Sequence, residues 1–129
     1  MKEKIKKYCP SCGKEVSTRN IYCNNVCQHD YAYKQYIERW QNGEEEGLRG
    51  TQDLSKHIRR YLFEKSNNLC SKCGWGMVNP FTDLVPLQVH HVDGDCLNNL
   101  EENLELLCPN CHSLTDNYGS RNKNSIRNK

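Results

Sequence analysis

Nine cysteines, eight of them in four close pairs, restrict what this chain can fold into more than any other feature. Cys9 and Cys12 are spaced as Cys-x-x-Cys and Cys23 and Cys27 as Cys-x-x-x-Cys, while Cys70 with Cys73 and Cys108 with Cys111 make two further Cys-x-x-Cys pairs. A chain of 129 residues with a mean hydropathy of −0.92 cannot bury one large core without help from metals or disulfides. Its start, MKEKIKKYCP, lacks the apolar run of a signal peptide, and no later run approaches a membrane span. These features predict a reducing, cytoplasmic setting without membrane attachment, where paired cysteines read as zinc ligands rather than disulfides.

Zinc prefers thiolates in fours, and the sulfurs of a Cys-x-x-Cys turn point at one tetrahedral centre. Two structural Zn²⁺ sites are therefore expected, one from Cys9, Cys12, Cys23 and Cys27 and one from Cys70, Cys73, Cys108 and Cys111. Redox chemistry or independent free thiols is the competing explanation. Cys96 has no nearby partner in HVDGDCLNN and reads as a loop filler.

The zinc sites organise the chain as α+β. Residues 1–40 read as a four-cysteine finger with a basic start (Lys2, Lys4, Lys6, Lys7) followed by an amphipathic helix. Tyr33, Tyr36, Ile37 and Trp40 recur on one face of that helix at i, i+3, i+4, i+7. This aromatic stripe reads as packing against the finger, with a base-stacking platform as the alternative. Residues 41–53, QNGEEEGLRGTQD, combine three glycines with a glutamate run and read as a linker. A second unit, 54–120, opens with a helix over about 55–65 whose buried side is Leu54, Ile58, Tyr61 and Leu62. Lys56, Arg59 and Arg60 form a face of single-signed charge, either solvated or turned to phosphate. Residues 121–129 are a basic tail.

After the Cys70–Cys73 knuckle and a turn-rich excursion, Leu87 and Val89 alternate with Gln88 and His90 as in a short strand. Asp93-Gly94 starts a turn, with metal ligation the alternative for Asp93. Leu104, Leu106 and Leu107 make a second apolar run, and a helix is expected from Pro109 through His112 to about Tyr118. Within VHHVDGDCLNNLEENLELLCPNCH, two histidines, an asparagine and a third histidine are interleaved with a cysteine pair. Those residue types in that order suit a metal-dependent phosphodiesterase.

The segments NLCSKCGW, PLQVHHVDGD and ENLELLCPNCHSLTDNY resemble an HNH endonuclease domain of the ββα-metal fold, over residues of about 65–120. The amino-terminal finger and helix resemble the accessory regions of phage or mobile-element HNH proteins, for which the setting is the host cytoplasm. The resemblance implies that His91 is the general base toward water, that His90 and His112 hold a single divalent ion, and that Asn103 fixes the loop and orients His91. It also implies DNA as the substrate, with 5′-phosphate and 3′-hydroxyl products. Many members carry an aspartate where His90 stands. Two imidazoles without a carboxylate tilt the ion toward Mn²⁺, Ni²⁺ or Zn²⁺, with Mg²⁺ still open.

Charge placement adds an expectation of its own. From Gly74 to Gly119 there is no Lys or Arg, while Asp83, Asp93, Asp95, Glu101, Glu102, Glu105 and Asp116 make seven acids. Set against a chain total of +2, that −7 leaves +9 for the remainder. Because phosphate neutralisation supplies most nonspecific DNA affinity, the grip is expected from Lys56, Arg59 and Arg60, the finger, and the tail with Arg121, Lys123, Arg127 and Lys129. A monomer or weak dimer is expected. The alternative function is a non-catalytic zinc-finger protein that binds nucleic acid.

Overall fold

The computed structural model describes residues 5–123; Lys2, Lys4, Arg127 and Lys129 lie outside the described residues. It is a small mixed α/β structure built from three antiparallel two-stranded sheets and three α-helices.

The first sheet pairs β1 (Lys7–Tyr8) with β2 (Glu15–Val16) across a cysteine knuckle. Cys9 N–H donates to the Lys14 carbonyl at 2.8 Å and Gly13 N–H to the Cys9 carbonyl at 2.9 Å. Gly13, at φ +78°, supplies the left-handed step that closes this turn. The chain then enters α1 (Asn25–Gln41), where the Asn24 side chain caps the helix by accepting from Cys27 N–H at 2.8 Å.

Tyr33, Ile37 and Trp40 of α1 are buried, as their spacing predicts, but not against the finger. They share a core with Ile58, Leu62 and Leu104, flanked by Tyr36, Leu54, Tyr61 and Val89. The finger is too small and polar to cover a two-turn aromatic stripe. Residues 41–53 also differ from the linker expected of them. They carry a hairpin of β3 (Leu48–Arg49) and β4 (Asp53–Leu54), and Gly47 is packed so closely that an added Cβ would lie 2.7 Å from Ile58 Cδ1 and 2.9 Å from Asn99 Cβ. The glycines that suggested flexibility instead serve turns at positive φ.

The helix α2 (Lys56–Lys65) starts where Ser55 Oγ accepts from His57 N–H at 3.2 Å. Ile58 and Leu62 are its buried residues, as the periodicity predicts. A second knuckle repeats the first: Cys70 N–H donates to the Trp75 carbonyl at 2.8 Å, Gly74 N–H to the Cys70 carbonyl at 2.9 Å, and Gly74 sits at φ +78°. β5 (Gln88–His91) pairs with β6 (Leu104–Leu107) in the register His90 to Glu105 and His91 to Leu104. Cys70, Val85, Leu87, Leu106, Leu107 and Cys108 form a second core, and Val89 touches both cores. The strand pair is thus the wall between them.

The last helix, α3 (Pro109–Ser113), is shorter than the stretch to Tyr118 expected from the sequence. Thr115 Oγ1 donates to the His112 carbonyl at 2.8 Å, and Asn117 Nδ2 donates to the Val92 carbonyl at 3.0 Å. The hydroxyl caps the helix end while the amide pulls the chain onto the β5–β6 loop.

Candidate active site

In each cysteine quartet the four sulfurs lie within 4.8 Å of one another. Cys12 and Cys23 are 3.5 Å apart, Cys23 and Cys27 3.2 Å, and Cys73 and Cys108 3.7 Å. A tetrahedron with metal–sulfur bonds of about 2.3 Å has edges of roughly 3.8 Å. Each frame joins a knuckle to a helix start, at α1 in one case and at α3 in the other. Burial pushes the Cys9 thiol up, but the backbone N–H groups of Cys12, Cys23 and Ser11 outweigh it and bring it down to about 6. Cys70 behaves alike, with N–H groups from Cys73, Cys108 and Lys72 bringing it to about 6. Cys27, beside the Cys23 thiol, and Cys111, beside the Cys108 thiol, are pushed up to about 12. Four crowded sulfurs cannot all ionise unless a cation sits among them, so both quartets suit a metal ion.

The three histidines of the sequence order meet in one place. A cavity of about 200 Å³ is lined by His90, His91, His112, Val89, Cys96 and Tyr118 among others. His90 is 6% exposed, and its ring meets that of His112 edge-on with centroids 5.3 Å apart. His112 enters from the first turn of α3, with Tyr118 against its other side at 5.1 Å. Burial depresses the His90 pKa, with Glu105 acting against the shift. Burial and the neighbouring His90 depress that of His112. Both imidazoles therefore favour the neutral form, which binds metals.

His91 lines the same cavity, and its Nε2 lies 2.7 Å from Asn99 Oδ1. Asn103, 7% exposed, lies in the loop network. It donates through Nδ2 to Asp93 Oδ1 at 2.9 Å and to the Asn98 carbonyl at 2.8 Å, and its Oδ1 accepts from Asp93 N–H at 3.1 Å. Asp93 also accepts from Asp95 N–H at 2.8 Å and from Asn98 Nδ2 at 2.7 Å, as a turn-forming aspartate does. Asn98 Nδ2 leads the hydrogen bonds that depress its pKa, against an opposing push from burial.

Gln88 and Asn99 were not singled out from the sequence. Gln88 Oε1 contacts His112 Nδ1, and Gln88 and His90 share a face of β5 through the two-residue strand period. That period was the available signal for Gln88; no local signal existed for Asn99. Cys96 is no mere loop filler in position, since it lies in the wall of the histidine cavity.

Neither a family model nor a solved structure matches the chain. Two curated proteins do. The H-N-H endonuclease F-TflIV of Escherichia phage T5 is 30% identical over 91 residues, which cover 69% of this chain and 39% of that protein. With the histidines and the asparagine in their order on a strand pair and helix, this decides the family. The chain belongs to the HNH endonuclease family. The Zorya protein ZorE of Escherichia coli is 34% identical over 84 residues, 65% of this chain and 18% of that protein. The HNH chain thus spans well under half the length of either relative.

The cations of the HNH chain divide into paired and unpaired groups. Arg60, expected to face phosphate, donates to Asp30 at 2.8 Å and Glu64 at 2.9 Å, with its guanidinium 4.0 Å above the Tyr33 ring. Arg121 donates to the Ser113 carbonyl at 2.6 Å and lies over Tyr118. Lys56 and Arg59 are exposed and make no ion pair among the described residues. No helix among the described residues is long and apolar enough to cross a membrane.

Proposed function

We propose that the chain is a metal-dependent endonuclease that hydrolyses DNA phosphodiester bonds. The observation that carries this reading is the single cavity that gathers His90, His91 and His112. β5, β6 and α3 supply the two strands and helix of a ββα-metal unit, taken to span 54–120 and steadied by α1.

The donor set fits a divalent ion. His90 and His112 present neutral, facing imidazoles, and the absence of a carboxylate between them favours Mn²⁺, Ni²⁺ or Zn²⁺ over Mg²⁺. When bound there, the ion would supply charge neutralisation at the phosphate. His91 takes the proton of the attacking water, a task suited to an imidazole near neutrality. Asn103 holds the β5–β6 loop through Asp93 and Asn98 and so sets the strand end that carries His91. Lys56 and Arg59 take the duplex backbone, and Arg121 orders the segment beside the cavity. The two quartets hold structural Zn²⁺.

Supercoiled plasmid incubated with zinc-loaded protein and Mg²⁺, Mn²⁺ or Ni²⁺ in turn tests the reading. Nicked or linear product is expected with at least one ion and none after chelation; intact plasmid with all three ions would remove it.

A further inference from the structure

Asn99 lies in the loop between β5 and β6, 4% exposed, outside both cysteine frames. Its surroundings come from parts of the chain far away in sequence. Its backbone carbonyl accepts from Trp40 Nε1 at 2.7 Å, a bond from the last turn of α1. Its Nδ2 donates to the Glu46 carbonyl at 3.4 Å. The adjacent Gly47 has room for no side chain, because a Cβ there would lie 2.9 Å from Asn99 Cβ. On the remaining side, Asn99 Oδ1 lies 2.7 Å from His91 Nε2.

These contacts determine the direction of the hydrogen bond. The amide nitrogen is committed to a carbonyl, which can only accept, so the amide must turn its oxygen toward His91. An amide oxygen also only accepts. A neutral His91 then carries its proton on Nε2 and keeps its lone pair on Nδ1.

We propose that Asn99 is a positioning residue that fixes the tautomer and ring orientation of His91. It is itself held by α1 and the 44–47 segment, so the amino-terminal half takes part in the reaction and does not merely grip DNA. The role rests on the nuclease reading of His91, whereas the tautomer does not. In the reaction, the water oxygen bonds to phosphorus as the P–O3′ bond breaks, the departing 3′ oxygen takes a proton from solvent water to become the 3′-hydroxyl, and the attacking water's proton passes to His91 Nδ1. The resulting imidazolium keeps its Nε2–H on the Asn99 oxygen, so the ring holds its orientation through the step. Asn103 holds the strand end that carries His91 and Asn99 holds its ring, so two asparagines divide the work of support.

The test combines imidazole ¹⁵N spectroscopy at pH 8 with single-turnover cleavage at saturating protein, on zinc-loaded full-length chains. Wild type should show His91 protonated at Nε2. Asn99→Leu should lose that preference and cleave roughly ten- to a hundredfold more slowly, with DNA affinity and zinc content unchanged. Asn99→Asp, which retains the acceptor, should keep the tautomer and recover most of the rate. Trp40→Phe, which removes the anchoring donor and trims a buried ring, should move both readouts in the direction of Asn99→Leu by a smaller step. If Asn99→Leu does not fold, the wild-type tautomer and the other two variants still decide. A wild-type His91 protonated at Nδ1, or Asn99→Leu with the tautomer and rate of wild type, would overturn the proposal. Wild-type protein that cuts no DNA but shows the Asn99-dependent tautomer would defeat the nuclease reading and leave the contact established.

Discussion

His90 and His91 are neighbours in sequence that both line the cavity, yet strand alternation gives their rings different partners. His90 is driven into the cavity wall beside His112, while His91 finds the Asn99 amide. Another histidine offers a test of burial without metal chemistry. His57 lies 5.0 Å from the Tyr36 ring and 6.0 Å from Tyr33. Burial lowers its pKa, assisted by Lys56 and Arg60 on its own helix and by Arg39 and His29 on α1. Because the folded state holds that proton less tightly than the unfolded chain, the contribution is fully present above about pH 6.5 and is lost as pH falls below it. Wild type should therefore lose more thermal stability between pH 7.5 and 5.5 than His57→Phe does; equal losses would contradict the assignment. At this scale the grouping of the cysteines into two quartets and of the three histidines around one cavity was legible from residue types and their order. Asn99 was not, since its partners Trp40, Glu46 and His91 meet only after the chain has folded.

Among the elements, both longer helices were readable from apolar periodicity, and each strand of the β5–β6 pair came within a residue of its expected start. What the helices pack against was not readable, because an aromatic stripe does not name the surface it covers. Nor was the hairpin at 48–54 foreseen, where glycine and glutamate content suggested a spacer. Gly47→Ala tests that correction. The substitution strains a residue at φ +78° and drives a methyl into Ile58 and Asn99, so it should destabilise the fold by about 1–3 kcal/mol in denaturant titration. A true spacer would tolerate it. On α2, charge reversal should separate two kinds of cation. Lys56→Glu with Arg59→Glu should weaken DNA binding and leave stability unchanged. Arg60→Glu, which sets a third acid between Asp30 and Glu64 and removes the stacked guanidinium from Tyr33, should cost about 1 kcal/mol of stability. Equal effects of the two changes on stability would remove this division.

For the whole molecule, two cysteine quartets suited to metal stand where the composition denies a single large core. The two small cores meet at Val89, and each quartet ties a knuckle to a helix that carries part of the architecture. Metal analysis should give two zinc ions per chain, and Cys73→Ser should lower this to one while loosening β5, β6 and α3. Retention of two ions in that variant would contradict the quartet. The uneven charge bears on the proposed DNA substrate, which a segment without Lys or Arg would meet through groups on other elements. The histidine cavity is proposed to perform phosphodiester hydrolysis with His91 as base. Its most direct test is single-turnover cleavage of an end-labelled duplex in Mn²⁺ at saturating protein, where binding no longer limits the rate. The account predicts that His91→Ala, with its two zinc ions retained, cleaves at least about a hundredfold more slowly than wild type. Cleavage by His91→Ala at the wild-type rate would contradict it.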